Sequence, residues 1–418
     1  MNIIVTNLPI ASPAYGPTYR THHLAEEWSK AGHRVTVVGS SFSHLLSEPV
    51  RFKGALQEES CHQVRYVHLK TPSYKGSGVR RVINIISGLS RLKRHTHRIL
   101  EGHKPDVIMS ASAYQLDNFW ARSTSRKFDC SFVRETRDLW PMTLIELGGL
   151  PWWHPFTLWV QKGEDCAYRW ADLVSTTLAD SHEYMEGRGL RTDRWVYLPQ
   201  CPPPPFPESP HMKLPRAHCE ALAQARLRNS FLVCFAGSLV PATDFSTLIQ
   251  AAQLLSHDSV SILLVGQGPS EKLLRGLIAA TNVKNVTMLP QVSKELVPCI
   301  LAKCHAGIQL FRKHRLYKYG ISPNKVLEYM QHGLPVVLSC ATSRTPVADS
   351  QGGIVVAPER PDLVADAVRT LKSMPVEERW EMGKRASEHV NLHHNIKTVA
   401  NCYLGLFDEI RDRRRIRR

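Results

Sequence analysis

The chain has 418 residues, 43% of them hydrophobic, and 53 Lys and Arg against 37 Asp and Glu leave it a net charge of +16. That length holds two domains with real cores, and the charge asks for an anionic partner. No stretch approaches the ~20 apolar residues of a membrane span, and the ten cysteines are scattered without a C-x-x-C pair, which points to reduced thiols rather than disulfides or zinc.

Asn2 to Thr6 is a β-rich run broken by Asn7 and Pro9 with no basic region before it, so it is read as a first strand and not as a leader. SPAYGPTYR is a glycine-containing loop. Thr21 to Lys30 is a helix closed by Gly32, and Arg34 to Val38 a second strand, which together make a βαβ unit. Strands near Val64 to Leu69, Asp106 to Ser110, Phe132 to Glu135, Asp172 to Thr176 and Arg194 to Leu198 complete a first block. The proline-dominated Cys201 to Pro210 is predicted to be a stiff, extended linker.

A second block repeats the pattern. It runs strand Phe231 to Ala236, loop Gly237 to Ala242, helix Phe245 to Leu255, strand Val260 to Val265, turn Gly266 to Pro269 and a helix from Glu271. Strand Val286 to Leu289, helix Lys294 to Lys303, strand Ala306 to Phe311, a helix opening at Ser322 and strand Pro335 to Leu338 follow. The chain is therefore expected to be α/β, with two doubly wound Rossmann-like domains facing a central cleft where the carboxyl ends of the strands bind ligands. The predicted domains are 1–200, a linker 201–215, and 216–390, with a C-terminal helix and basic tail over 391–418 crossing back to the first domain.

The segment YGISPNKVLEYMQHGLPVV carries the densest chemistry. Ser322 suits the N-cap and Pro323 the first helical position, so Asn324 and Lys325 would present free N–H groups to an anion. Glu328 then lies about 9 Å along the axis, at ~1.5 Å per residue, a distance that suits a sugar hydroxyl attached to a bound phosphate. The alternative is an amphipathic helix with Val326, Leu327 and Met330 in the core and Gly333 at its end. No D-x-D pair is present to hold a metal. The helix end with Lys and Arg must then stabilise a departing diphosphate. Cys299, Cys304 and His305 lack a second ligand pair and are not read as a metal site.

GISPNKVLEYMQHGLPVV, FAGSL, LLVGQGP, the opening SPAYGPTYRTHHLAEEWSKAGHRVTVVGSSFSH and RETRDLWPMTLIELGG resemble a bacterial family 4 glycosyltransferase of GT-B fold. The resemblance covers nearly the whole chain and is closest to the sub-group that builds O-antigen or capsule repeats, including L-fucosamine transferases. It implies retaining transfer from a nucleotide sugar held mainly by the C-terminal domain; no cofactor is expected, and the missing D-x-D pair makes a metal-independent enzyme the expectation. Carried onto this sequence, the donor-binding residues are Gly237, Gly266, Gln291, Arg312, Ser322, Asn324, Lys325 and Glu328, with Gly16 and Arg20 from the N-terminal domain. Glu135, Arg137 and Asp138 are the catalytic candidates, with a salt-bridged structural cluster as the alternative. Gly16 is read as letting backbone approach a ligand, or as a plain tight turn.

This chain departs from the family pattern in three places. The first glutamate of the paired-glutamate motif is Gly320, the histidine of His-Asp-Leu-Trp is Arg137, and FAGSLVPATDF carries no cation. The diphosphate charge falls to Lys325, Arg312, Lys313 or Lys318, with Arg20 reaching from the other domain. The resemblance suggests a UDP-linked N-acetylated amino sugar, with uracil read by backbone near Pro290 to Ser293.

The basic residues cluster. Val79 to Leu100 holds Arg80, Arg81, Arg91, Lys93, Arg94 and Arg98 with Val82, Ile85, Ile86, Leu89, Leu92 and Ile99 at helical spacing, and the chain ends RDRRRIRR. With Trp152, Trp153 and Phe156 in PWWHPF, for which interior packing is the alternative, they read as an anionic membrane surface binder, and no nucleic-acid motif competes. The expected enzyme is peripheral to the inner face of the cell membrane and uses an undecaprenyl-diphosphate-linked saccharide acceptor. The alternatives are a sugar-nucleotide epimerase of the same fold and a degenerate nucleotide-sugar-binding protein.

Overall fold

The computed structural model describes residues 1–16, 20–52, 54–76, 78–204, 213–342 and 344–416. Two compact bodies result, Met1–Pro203 with Ile396–Arg418, and Pro204–Asn395. Residues 205–212 of the predicted linker lie outside the described residues.

The first body is built on eight strands: β1 Asn2–Thr6, β2 Arg34–Ser40, β3 Leu56–Cys61, β4 Val64–Leu69, β5 Val107–Ser110, β6 Ser131–Thr136, β7 Leu173–Thr176 and β8 Trp195–Tyr197. Their order is β3-β4-β2-β1-β5-β6-β7-β8. β3 pairs antiparallel with β4, whereas β1, β2 and β4 to β8 pair in parallel. The sequence reading had no strand at β3. LQEESC is polar and half-exposed because it is the sheet edge, where charge is tolerated and the apolar signal fades. β6 is buried at every position, as a parallel strand covered on both faces should be.

Helix Ile396–Ile416 belongs to this body. Its Val399, Tyr403, Phe407 and Ile410 enter the same core as Ile3, Val5, Val37 and Trp28. Trp28 meets Tyr403 and Phe407 edge-on at 5.6 and 5.4 Å, and its indole N–H donates to the Ala400 carbonyl at 3.0 Å. Such aromatic pairs add about 0.5–1.5 kcal/mol each beyond the area they bury.

The second body has six strands: β9 Phe231–Ala236, β10 Val260–Val265, β11 Val286–Leu289, β12 Ala306–Leu310, β13 Val336–Ser339 and β14 Gly353–Val356. All neighbours are parallel, in the order β11-β10-β9-β12-β13-β14. Phe231, Val233, Phe235, Ile262, Leu264 and Ile308 pack against Leu248 and Ile249 of helix Phe245–Leu254 and Val364 and Val368 of helix Pro361–Ser373. The helix expected over Lys294 to Lys303 is a 3-10 turn, Lys294–Leu296, followed by a single-turn helix Val297–Leu301 with Pro298 at its start.

Candidate functional site

In the second body the chain winds outward from β9 to β10 and β11, then returns to place β12 on the other side of β9. Beside β9 the strand order reverses, which is where an open α/β sheet leaves a crevice at its carboxyl ends. The loop after β9, the turn after β10, Arg312 after β12, and helix Asn324–Gln331 border that point.

Tyr329 pins the helix there. Its hydroxyl accepts from the Ala236 N–H at 2.8 Å and lies 3.3 Å from the Ala236 carbonyl, so the last residue of β9 is held by both backbone groups. Gly307 in β12 makes the room, since a Cβ there would come within 2.5 Å of the Tyr329 ring. One helical turn earlier, the same face delivers Lys325 over the end of β9. Its ammonium lies 3.3 Å from the Ser238 carbonyl and 4.9 Å from the Phe235 ring centre. Gly237, with φ +142°, has no side chain to obstruct the lysine stem, and a Cβ would stand 2.1 Å from Lys325 Cε. The loop FAGSL lacks a cation of its own and receives one from another element.

Burial pulls the Lys325 ammonium down to about 8, and Glu328 offsets part of the effect. Glu328, one turn further on, is itself raised above the usual carboxylate range by burial, with Lys294, His332 and Lys325 opposing. Lys294 Nζ is 4.0 Å from Glu328 Oε1. Arg312 follows β12 with Nε buried and without a hydrogen-bond partner among the described residues. Buried donors are normally satisfied, so this one calls for an explanation.

The remaining predicted residues of this body are placed as follows. Ser322 is not the N-cap: Pro323 holds that position with extended backbone, and no side chain caps the helix, which starts at Asn324. Proline's fixed φ suits either position, which is why the sequence could not place the boundary. Asn324 is exposed. Gly266, with φ +153°, lets the turn after β10 pass the Gly237 carbonyl, which a Cβ would meet at 2.0 Å. Gln291 is exposed beyond β11, at the sheet edge two strands from β9. Lys313 and Lys318 are exposed, the latter 4.7 Å over the Tyr319 ring. Tyr329 and Gly307 were missed by sequence reasoning; a tyrosine on a core-facing helical position gave no sign of its partner.

The first body corrects three expectations. Arg20 is not available to a donor, because its side chain is 1% exposed and its nitrogens are used. Nε bonds Glu135 Oε1 at 2.9 Å, and the other nitrogens reach the carbonyls of Pro199 at 2.6 Å and Leu198 at 3.3 Å. Glu135 is likewise interior. It accepts from Tyr403 at 2.9 Å, and burial, which pushes its carboxyl up, is outweighed by Arg20 and Arg137, so the group stays below the ordinary range. Its Oε1 is held in an ion pair with Arg20, as the salt-bridged alternative expects, and its buried Oε2 has no hydrogen-bond partner among the described residues. Gly16 faces chain rather than ligand, since a Cβ would sit 3.3 Å from Leu46 Cα and Ser47 N. Arg137 donates to the Ala111 carbonyl at 3.1 Å and stands 3.8 Å from Glu135 Oε2, whereas Asp138 is exposed.

The basic segments separate. In helix Val79–Arg94, Ile85 and Leu92 face inward, and Val79, Ile83 and Ile86 are 75, 50 and 48% exposed beside exposed Arg80, Lys93 and Arg94. Phe156 packs with Ile85, Leu89, Leu144 and Trp159 in one cluster, while Trp152 and Trp153 are 68 and 61% exposed. Of the C-terminal arginines, two are turned to the fold and Arg413 and Arg415 are exposed. Arg411 pairs with Asp106 at 3.1 Å and Arg414 with Asp172 at 2.7 Å, fastening their helix to the sheet; residues 417–418 lie outside the described residues. Among the described residues, no helix is long and apolar enough to cross a membrane.

Residues 15–201 match the model of a glycosyl transferase 4-like domain, and residues 230–373 that of the glycosyl transferases group 1. No curated protein sequence matches the chain. Among solved structures, sucrose-phosphate synthase from Thermosynechococcus elongatus superposes with TM-score 0.73 at 16% identity, covering 98% of each chain. The Anabaena protein HepE in complex with UDP-glucose gives 0.64 at 14%, covering 98% of this chain and 100% of that one. WaaG, a glycosyltransferase involved in lipopolysaccharide biosynthesis, gives 0.63 at 14%, with 97 and 99% covered. With the two domain models in this order on two parallel doubly wound bodies, the chain is a glycosyltransferase of the GT-B type.

Proposed function

We propose that the chain transfers an N-acetylated amino sugar, with retention and without a catalytic metal, from a UDP-sugar to a lipid-linked saccharide in O-antigen, capsule or exopolysaccharide assembly. The observation that carries the donor half is the Lys325 ammonium seated over the end of β9 with Glu328 one turn beyond it. A diphosphate at the strand-order reversal meets that ammonium, the helix start at Asn324 and the Arg312 guanidinium, whose buried Nε is otherwise unused. Glu328 then accepts from a ribose or sugar hydroxyl. These fixed cations stabilise the charge that accumulates on the leaving diphosphate. UDP as the nucleotide is supported by the Anabaena neighbour, which binds UDP-glucose; the amino sugar rests on the sequence resemblance. On the acceptor side, exposed Asp138 and half-buried Arg137 remain the catalytic candidates, orienting the donor sugar or accepting the acceptor's proton, and Glu135 holds the arrangement from the interior.

A lipid-linked acceptor implies a membrane surface. The outward stripe Val79, Ile83 and Ile86, ringed by Arg80, Lys93 and Arg94, supports peripheral docking on anionic lipid, with Trp152 and Trp153 at headgroup depth. Arg411 and Arg414, paired with Asp106 and Asp172, are not counted in this face.

Calorimetric titration of UDP and GDP tests the donor reading. UDP should bind tighter, Lys325→Met and Glu328→Gln should each weaken it at least tenfold in a folded protein, and chelator should leave turnover of UDP-sugar intact. Unchanged UDP affinity in Lys325→Met would remove the lysine from the site. Flotation with anionic vesicles tests the docking face: Ile83→Ser with Ile86→Ser should lower the bound fraction, and equal binding to neutral vesicles would exclude an electrostatic contribution.

A further inference from the structure

Helix Arg20–Lys30 and the β3–β4 turn bring together side chains that the donor reading does not use. Donor atoms of His22, His23 and Glu26 all lie within 4.8 Å of one another. His22 is buried, and its Nδ1 is held by a short hydrogen bond to the Tyr66 hydroxyl. Its Nε2 is left facing Glu26 Oε2 at 3.6 Å. An imidazole anchored through one nitrogen and presenting the other is how a metal-ligating histidine is oriented. His62, at the β3–β4 turn with φ +48°, completes the group, with Nδ1 3.8 Å from Glu26 Oε1 and its ring 5.7 Å from that of His22.

We propose that His22, His23 and Glu26, with His62 as the fourth ligand, bind one zinc-class divalent ion that fastens helix Arg20–Lys30 to the β3–β4 turn. Zinc sits about 2 Å from each nitrogen or oxygen ligand, so the donor atoms of His22, His23 and Glu26 must close by less than about 1 Å each, within side-chain rotation, and His62 turns in from the β3–β4 turn to join them. Three imidazoles and one carboxylate favour zinc, cobalt or nickel over magnesium or calcium, which prefer all-oxygen sites. Lys30 now neutralises Glu26 from 3.1 Å. It is 58% exposed and also bonds Glu27 at 2.8 Å, so it keeps a partner when the ion takes its place. The sequence hid the site because His62 is distant in the chain and His-His-x-x-Glu on a helix reads as an ordinary polar face. The site is structural, and it lies in the first body, whereas the donor residues belong to the second.

The test uses the full chain stripped by chelator and then freed of it. Zn²⁺ should bind one per chain and raise the melting temperature where Mg²⁺ does not, and Co²⁺ should give visible bands of four-coordinate intensity. His23→Ala and Glu26→Gln should weaken Zn²⁺ at least tenfold and abolish the melting shift while UDP binding, a property of the other body, stays unchanged. The helix Val376–His393 and its cap offer a competing group, His389, His393 and His394, with ring centres 4.6 and 5.6 Å from His389. Zn²⁺ affinity lost in His389→Ala but retained in the first two variants would overturn the proposal, as would the absence of stoichiometric Zn²⁺ binding by the parent chain.

Discussion

Arg20 in the first body and Lys325 in the second are both cations withdrawn from water near a glutamate, yet their surroundings differ. Arg20 is enclosed by Glu135 at 2.9 Å and by two carbonyls, and these partners hold its proton more firmly than usual despite burial. Lys325 has one carbonyl at 3.3 Å, and burial lowers it to about 8. A buried charge that is fully paired belongs to the fold; one that is desolvated and under-partnered beside a strand-order reversal is poised for a ligand. Glu135 lies between the two cases, because Tyr403 and Arg20 both bond its Oε1, while its buried Oε2 has no hydrogen-bond partner among the described residues and only Arg137 at 3.8 Å.

The contrast can be broken most severely at Arg20. Arg20→Met leaves the buried Glu135 with only Tyr403 at 2.9 Å and Arg137 at 3.8 Å and should cost about 3–5 kcal/mol in denaturant unfolding, with UDP affinity of the remaining folded protein unchanged. Lys325→Met should do the reverse and raise stability while weakening UDP. A stability loss in Lys325→Met matching that of Arg20→Met would erase the distinction.

Tyr329→Phe comes next. It strips the Ala236 N–H of its acceptor and should cost about 1–3 kcal/mol, and it should also weaken UDP because Lys325 loses the support of its helix. Unfolding that shifts while UDP affinity stays constant would show that Lys325 is positioned by other contacts.

The smallest effect is in pH. A bound diphosphate favours the protonated ammonium, so UDP affinity should be level below about pH 8 and fall by at most tenfold per unit above it. Between about 8 and the ordinary lysine value of 10.5, the unfolded chain holds the proton that the folded lysine has lost. Wild-type stability should therefore gain on Lys325→Met as pH rises through that window. A calorimetric profile unchanged by Lys325→Met would assign the pH response to another group.

The sequence by itself determined the alternation of strand and helix in two blocks, because apolar runs bounded by glycine and proline report local periodicity. It also put Lys325 and Glu328 on one helix, since a spacing of three residues places them on one face whatever the fold. It did not reveal β3, whose residues face solvent at a sheet edge, or β14. Strand order, and with it the reversal beside β9, was decided only in three dimensions. So were the partners of the buried charges. Arg20 meets Glu135 across 115 residues and Tyr403 meets Glu135 across 268, separations at which no local pattern connects two side chains. The same holds for Arg411 and Arg414, which in the sequence belong to a basic tail and in the fold stand opposite Asp106 and Asp172. A charge in a sequence carries its sign, but whether it is solvated, paired or poised depends on which distant groups the fold brings within a few ångströms.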